Sequence, residues 1–138
     1  MVFGVRKMTF LWILLVLAAG FAAYVRFAPS DLTKWHKEPQ ITQDSEGENS
    51  VRRLVMAGPD GLARFHQVAV GTPCTTVLAG SVDEGMVTYV TRSKLMAYPD
   101  YTTAYQDGDV LKIYGRSRFG RKDFGVNATR VEAWIDAL

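Results

Sequence analysis

The sequence predicts an α+β protein with a single transmembrane helix, a polar tether and one small domain. Three observations lead to this prediction: an uncharged stretch near the N-terminus, a series of short β-rich segments separated by turn residues, and two stretches with helical apolar spacing. We expect residues 1–28 to form the anchor, residues 29–50 the tether and residues 51–138 the α+β domain.

The anchor is predicted from the stretch between Met8 and Val25, which carries no charged residue. Its length approaches the roughly 20 apolar residues that cross a bilayer as a helix. Arg6 and Lys7 precede the stretch, and a basic flank favours the cytoplasmic side. The domain is therefore expected outside the cytoplasm. A cleaved signal peptide is the alternative, although its apolar core is usually only about 7–15 residues long.

Small residues recur at a spacing of four within the anchor. They are Ala18, Ala19, Gly20, Ala22 and Ala23. This pattern allows another transmembrane helix to approach closely, but alanine is also common in helices that contact only lipid. The sequence is compatible with both interpretations.

The charge distribution argues against a nucleic-acid partner. The net charge is +2, yet thirteen of the sixteen Lys and Arg residues and all fourteen Asp and Glu residues lie beyond residue 28. The domain is thus nearly neutral, and the positive excess flanks the anchor. Cys74 is the only cysteine, so no intramolecular disulfide is possible. His36 and His66 have no ligand-like spacing, and we predict no catalytic residues, metal or cofactor.

The domain is predicted to contain four or five mainly antiparallel strands and two helices. A short strand covers Val51–Met56, and the first helix carries the stripe Leu62, Phe65 and Ala69. Further strands are expected at 74–81, 85–93, 101–106 and 110–119, and the last helix at 128–137 aligns Val131, Trp134, Ile135 and Leu138. This order favours both helices on one face of the sheet. The other face is then left to water or to a partner.

The last strand alternates in character. Leu111, Ile113 and Phe119 are predicted to face the core, which turns a basic, tyrosine-bearing ridge to the open face. The candidate anion-binding residues in the ridge and the following loop are Lys112, Tyr114, Arg116, Arg118, Arg121 and Asn127. A solvated face is the alternative, with the loop glycines and an N-capping Asn127 serving only the fold.

The C-terminal stretch RSRFGRKDFGVNATR resembles the signature of the DUF1499 family of bacterial and plastid proteins. The matching residues are Ser117, Arg118, Gly120, Asp123, Gly125, Asn127 and Arg130. The N-terminal part also resembles anchored alphaproteobacterial members. The resemblance implies a fold and a location at the bacterial inner membrane, with a cytoplasmic N-terminus and a periplasmic domain, but no chemistry.

Three functions are compatible with these patterns. We expect an accessory domain that docks on an inner-membrane protein or complex beside the lipid bilayer. A binding module for an anionic small ligand or lipid headgroup is the alternative. A hydrolase or isomerase without a recognised motif is the third, and the sequence leaves the oligomeric state open.

Overall fold

The computed structural model describes residues 2–138, with side chains from residue 4 onward. The described residues form four helices, α1 (Val2–Phe27), α2 (Leu32–Trp35), α3 (Gly61–Val70) and α4 (Val126–Asp136). They also form six strands, β1 (Ser45–Gly47), β2 (Ser50–Met56), β3 (Thr75–Ser81), β4 (Met86–Arg92), β5 (Pro99–Asp107) and β6 (Val110–Ser117). The strands make one antiparallel sheet in the order β1-β2-β6-β5-β4-β3.

The predicted α+β class is confirmed, and the described part of the sheet has six strands, one more than the five segments predicted as strands. The extra strand is β1, which pairs with β2 through a tight hairpin. Its three residues, SEG, are all exposed and carry no alternating apolar pattern. The β5–β6 hairpin turns at Asp107-Gly108 as predicted, with Gly108 at a φ of 60°.

Helices α3 and α4 cover one face of the sheet, which we call the helix face. The apolar core lies here and consists of Val51, Leu62, Phe65, Ala69, Val87, Tyr89, Ala104, Leu111, Ile113, Val131 and Trp134. The predicted stripe on α3 is buried in full, and Val131 and Trp134 of α4 pack against it. Helical spacing thus identified the residues that close this core.

Helix α1 is long and apolar enough over Gly4–Phe27 to cross a membrane, and almost none of that span is buried within the protein. Its C-terminal third contacts the domain. The Phe21 and Tyr24 rings meet Phe119 edge to face, with ring centroids 6.4 and 6.0 Å apart. Arg92 at the end of β4 donates a hydrogen bond to the carbonyl of Val25 at 3.1 Å.

The second face of the sheet is covered by residues 28–41, which we call the covering segment. The Trp35 ring stacks on Tyr101 with centroids 4.2 Å apart and an interplanar angle of 20°. His36 Nδ1 lies 2.7 Å from Thr88 Oγ1, and Ser30 Oγ lies 2.6 Å from the Tyr101 hydroxyl. The division at residues 29–50 stays a prediction, but these contacts tie that stretch to the sheet.

Three predicted details are wrong. The face bearing the basic ridge is not open, because the covering segment packs on it. Phe119 lies beyond the end of β6 and contacts α1 rather than the core. Asn127 is not the N-cap of α4: Gly125 takes that position with a φ of 80°, and Asn127 is buried in the first turn.

Candidate anion-binding site

A cleft of about 360 Å³ lies between the covering segment and strands β2 and β6. This volume falls within the range of about 300–1,000 Å³ found for small-molecule pockets. The covering segment contributes Lys34, Trp35, Lys37 and Glu38, and the sheet contributes Arg52, Tyr114 and Arg116. Four cationic side chains and one carboxylate therefore share the lining.

Arg116 forms the buried end of this cleft, with 7 % of its surface exposed. Its guanidinium donates hydrogen bonds to Thr103 Oγ1 at 2.8 Å, to the Tyr114 carbonyl at 3.0 Å and to the Trp35 carbonyl. All three acceptors are neutral. Burial lowers the pKa of Arg116 to about 10, and the charge of nearby Arg52 acts in the same direction. The side chain nevertheless stays cationic at neutral pH.

The other cations gather around two aromatic rings. The Arg52 guanidinium lies 4.1 Å and the Arg116 guanidinium 4.7 Å from the centroid of Tyr114. Lys34 Nζ lies 4.9 Å from the Trp35 ring. Cation–π contacts favour charge at these places without neutralising it. The β2–β6 register sets the arrangement, because Arg52 pairs with Tyr114 across the two strands.

The structure brings only part of the predicted anion-binding set together. Arg116 and Tyr114 line the cleft, whereas Lys112 is 3.2 Å from the Asp107 carboxylate at the far end of the strand. Arg118 donates to the Pro29 carbonyl and to the Tyr101 hydroxyl, both at 3.2 Å. It therefore holds the covering segment in place.

The two remaining members of that set lie elsewhere. Arg121 is exposed in the loop after β6. Asn127 is buried on the helix face, where its side-chain amide donates to Ser117 Oγ at 2.9 Å and to Asp123 Oδ2 at 2.7 Å. One predicted ridge is thus divided among several places, and its binding role stays a prediction.

The residues of the C-terminal signature form a hydrogen-bond network around Asn127. Asp123 Oδ1 accepts from the Gly125 amide at 2.9 Å, which shapes the turn into α4. Arg130 Nη1 lies 3.2 Å from both Asp100 Oδ2 and Asn127 Oδ1. Gly120 takes a φ of 88°, a conformation that favours glycine. Burial raises the pKa of Asp100 despite its contact with Arg130. These contacts join β5, β6 and α4.

His66, one of the two histidines in the sequence, pairs with a core tyrosine. Its Nδ1 lies 2.9 Å from the Tyr89 hydroxyl. Burial raises the pKa of Tyr89, so that hydroxyl stays protonated. Among the residues that the structure describes, no group of three or more His, Cys, Asp or Glu side chains is placed to hold a metal ion.

Sequence reasoning missed most of the cleft. Lys34, Trp35 and Lys37 lie in a stretch without apolar periodicity, and Arg52 lies on a strand that was predicted without a face. One signal was present. Trp35 is an isolated large aromatic residue in a polar segment, and such a residue usually finds a burial site.

A comparison with protein families agrees with the sequence signature. The model of a family described as "Protein of unknown function (DUF1499)" matches residues 32–138. The match begins at the first residue of α2, so it includes most of the covering segment and excludes α1. A search of the curated proteins finds no match. By the extent of the family match, this chain belongs to the DUF1499 family.

Proposed function

We propose that this protein is a membrane-anchored binding module that holds a phosphate or carboxylate group in the cleft beside Arg116. The observation that carries the proposal is a buried guanidinium with neutral acceptors only. None of the ion pairs formed by the described residues includes Arg116, Arg52, Lys34 or Lys37. An anion would supply the missing counter-charge.

The energetic argument rests on burial. A charge removed from water is costly unless an opposite charge compensates it. At Arg116 the compensation comes from three hydrogen bonds and from aromatic faces, and no carboxylate of the described residues takes part. Burial lowers the pKa of Arg116. Placing a second cation, Arg52, on the same tyrosine ring adds repulsion. An anion bound in the cleft that both guanidinium groups line would relieve both penalties.

The lining restricts the ligand class. Guanidinium groups match the planar oxygen pairs of carboxylates and phosphates, and the flanking lysines add charge without a fixed geometry. Trp35 and Pro39 supply an apolar wall. A lipid headgroup and a soluble phosphorylated or carboxylated metabolite share this chemistry, so the test must separate them.

The proposal is tested with the full chain in neutral detergent. Inorganic phosphate and a phosphorylated sugar are titrated at constant ionic strength, and vesicles with or without phosphatidylglycerol form a separate arm. Charge-assisted hydrogen bonds contribute about 1.5–3 kcal/mol. Arg52→Ala is therefore expected to weaken binding about 10- to 100-fold, since roughly 1.4 kcal/mol corresponds to tenfold.

Lys112→Ala is the matched control. It removes a cation from the same sheet face but outside the cleft lining, and its partner Asp107 is exposed. Equal losses in both variants, or unchanged binding in Arg52→Ala, would contradict the proposal. The melting temperature without ligand should be the same in Arg52→Ala and in the parent protein, which shows that the variant lost binding and not its fold. A dependence on phosphatidylglycerol that Arg52→Ala removes, without binding of soluble phosphates, would assign the cleft to a headgroup.

We further propose that α1 stays in the bacterial inner membrane and that the domain lies in the periplasm. The support is the apolar span with its basic N-terminal flank. Cys74 is the only cysteine and is exposed, so it reports the side of the membrane directly. A membrane-impermeant maleimide is expected to label it in spheroplasts without lysis. Labelling that requires lysis would reverse the orientation.

Docking on an inner-membrane complex is the second candidate function. Phe21, Tyr24 and Val25 of α1 contact the domain. The side of the helix that carries Ala19, Gly20 and Ala23 is exposed, and this exposed side favours docking. Small residues on a free face allow close helix packing. Ala19→Leu combined with Ala23→Leu is expected to abolish co-purification of a defined partner. Repeated recovery of the chain alone from native membranes would contradict this candidate.

A further inference from the structure

Two loops at one end of the sheet expose large apolar side chains beside α1. They are residues 93–98, between β4 and β5, and residues 118–125, between β6 and α4, and we call them the loop pair. Leu95 is 84 % exposed and Phe124 is 93 % exposed. Both residues are at loop tips, where ordinary solubility favours polar side chains.

The loop pair is continuous with the membrane-facing helix. Tyr98 from one loop and Phe119 from the other contact each other and both contact Phe21 of α1, with ring centroids 6.1–6.5 Å apart. Gly120 and Lys122 line a cavity together with the same Phe21. The loops therefore contact α1 at Phe21, within the helix and not at its C-terminal end.

The position of Phe21 along α1 indicates how close the loop pair lies to the bilayer. Phe21 precedes Arg26, the basic residue in the last turn of α1, by five positions, which is about 7.5 Å along a helix at 1.5 Å per residue. Apolar faces of interfacial helices enter a bilayer to a similar depth, about 5–10 Å. Loops that reach Phe21 from outside are thus at the depth of the lipid headgroups if Arg26 marks the membrane boundary.

The charge of the loop pair complements an anionic lipid surface. Lys94, Arg121 and Lys122 are exposed, and no ion pair of the described residues includes them. The one acid in these loops, Asp123, accepts hydrogen bonds from Gly125 and Asn127. The combination of exposed apolar tips and free cations is typical of surfaces that bind anionic membranes.

We propose that the loop pair docks into the headgroup region of the membrane that α1 enters, with Leu95 and Phe124 inserted and the cations near lipid phosphates. The proposal rests on membrane anchoring by α1 and is independent of the cleft. Docking of the loop pair would fix the orientation of the domain relative to the bilayer. The sheet end that carries the β5–β6 turn then points away from the membrane.

The test places a fluorescent label at single cysteines in a Cys74→Ser background. Full-length protein is reconstituted into phosphatidylcholine vesicles with and without phosphatidylglycerol, in the presence of doxyl-labelled lipid as a quencher. Labels are attached at positions 95 and 124 through Leu95→Cys and Phe124→Cys. Each variant leaves the other apolar tip intact.

Three further positions calibrate the result. Met56→Cys labels an exposed apolar residue at the opposite end of the sheet, where it pairs with Val110. Thr129→Cys labels an exposed residue of α4 close to the loops. Leu14→Cys labels the middle of the apolar span.

We expect several-fold stronger quenching at positions 95 and 124 than at positions 56 and 129. The emission of the labels at 95 and 124 should also be blue-shifted, and phosphatidylglycerol should increase their quenching further. Quenching at 95 and 124 no greater than at 56, with Leu14→Cys fully quenched, would overturn loop docking alone. Shielding of position 124 in native membranes but not in vesicles would overturn it in favour of a protein partner. An unquenched label at position 14 would overturn the anchor and the loop proposal together.

Discussion

The two faces of the sheet are covered by different means. The helix face is closed by α3 and α4 over a core in which Phe65, Leu111 and Ile113 are fully buried. The other face buries a polar layer, Thr88, Thr103 and Arg116, beneath the covering segment. Adjacent residues of β4 show the contrast, since Thr88 faces the covering segment and Tyr89 faces the helices.

The two faces therefore contribute differently: one mainly to the stability of the fold, the other mainly to a specific geometry. Apolar burial is strong but non-directional, whereas each hydrogen bond is worth little in net terms and fixes one geometry. The covering segment contributes few buried apolar side chains, chiefly Trp35 and Ile41. We therefore expect the helix face to set global stability and the covering segment to open locally at a lower free energy.

The same substitution on each face gives the sharpest comparison, and Trp134→Ala should have the largest effect. Trp134 is 4 % exposed and meets Phe65 and Tyr89 edge to face at 5.5 and 6.0 Å. Removing a core tryptophan typically costs about 3–5 kcal/mol. Chemical unfolding of the full chain in detergent measures the loss. A decrease no larger than that of Trp35→Ala would remove the distinction between the faces.

Trp35→Ala is expected to cost less, about 1.5–3 kcal/mol from lost burial. The ring stacks on Tyr101 but borders the cleft, so its loss should release the covering segment while the helix-face core stays folded. Limited proteolysis should then cut within residues 28–41 before global unfolding. A matched variant, Lys34→Ala, keeps the ring and should leave the cleavage pattern unchanged. Resistance of Trp35→Ala to early cleavage would contradict local release.

The sequence predicted one face much better than the other, and the reason is physical. Helical stripes such as Leu62, Phe65 and Ala69 repeat within a single element, so local spacing reveals them. The covering segment has no repeat, and Trp35 finds its partner Tyr101 far along the chain. Arg116 was predicted on an open face because strand alternation places it opposite Leu111 and Ile113, and nothing local indicates that a distant segment covers it.

Thr88→Val tests the polar layer and should have a smaller effect, about 1–3 kcal/mol. The variant keeps the shape of the side chain and removes hydroxyl contacts to His36 at 2.7 Å and Thr103 at 2.8 Å, each worth about 0.5–1.5 kcal/mol. Thr76→Val, at an exposed site on β3, corrects for strand propensity. Hydrogen exchange should increase in the covering segment and not in α3. Increased exchange in both would mean that the two faces unfold together.

Tyr89→Phe should have the smallest effect at neutral pH, about 0.5–1.5 kcal/mol for the hydrogen bond to His66. Its pH dependence is more informative. Burial raises the pKa of Tyr89 above its ordinary value of 10.0, so above pH 10 the unfolded chain loses this proton while the folded chain keeps it. The unfolding free energy of the parent protein then falls by up to about 1.4 kcal/mol per pH unit, and Tyr89→Phe lacks this loss.

The two stability curves are therefore expected to converge above pH 10 and to meet about one pH unit higher. Groups common to both proteins, including Arg116 with its lowered pKa, cancel in the difference. Denaturant unfolding of parent and variant between neutral pH and pH 11 measures that difference directly. Parallel curves would mean that Tyr89 ionises equally in both states. The hydroxyl beneath α3 would then be in contact with water, and the helix face would not be the sealed core that distinguishes it from the face beneath the covering segment.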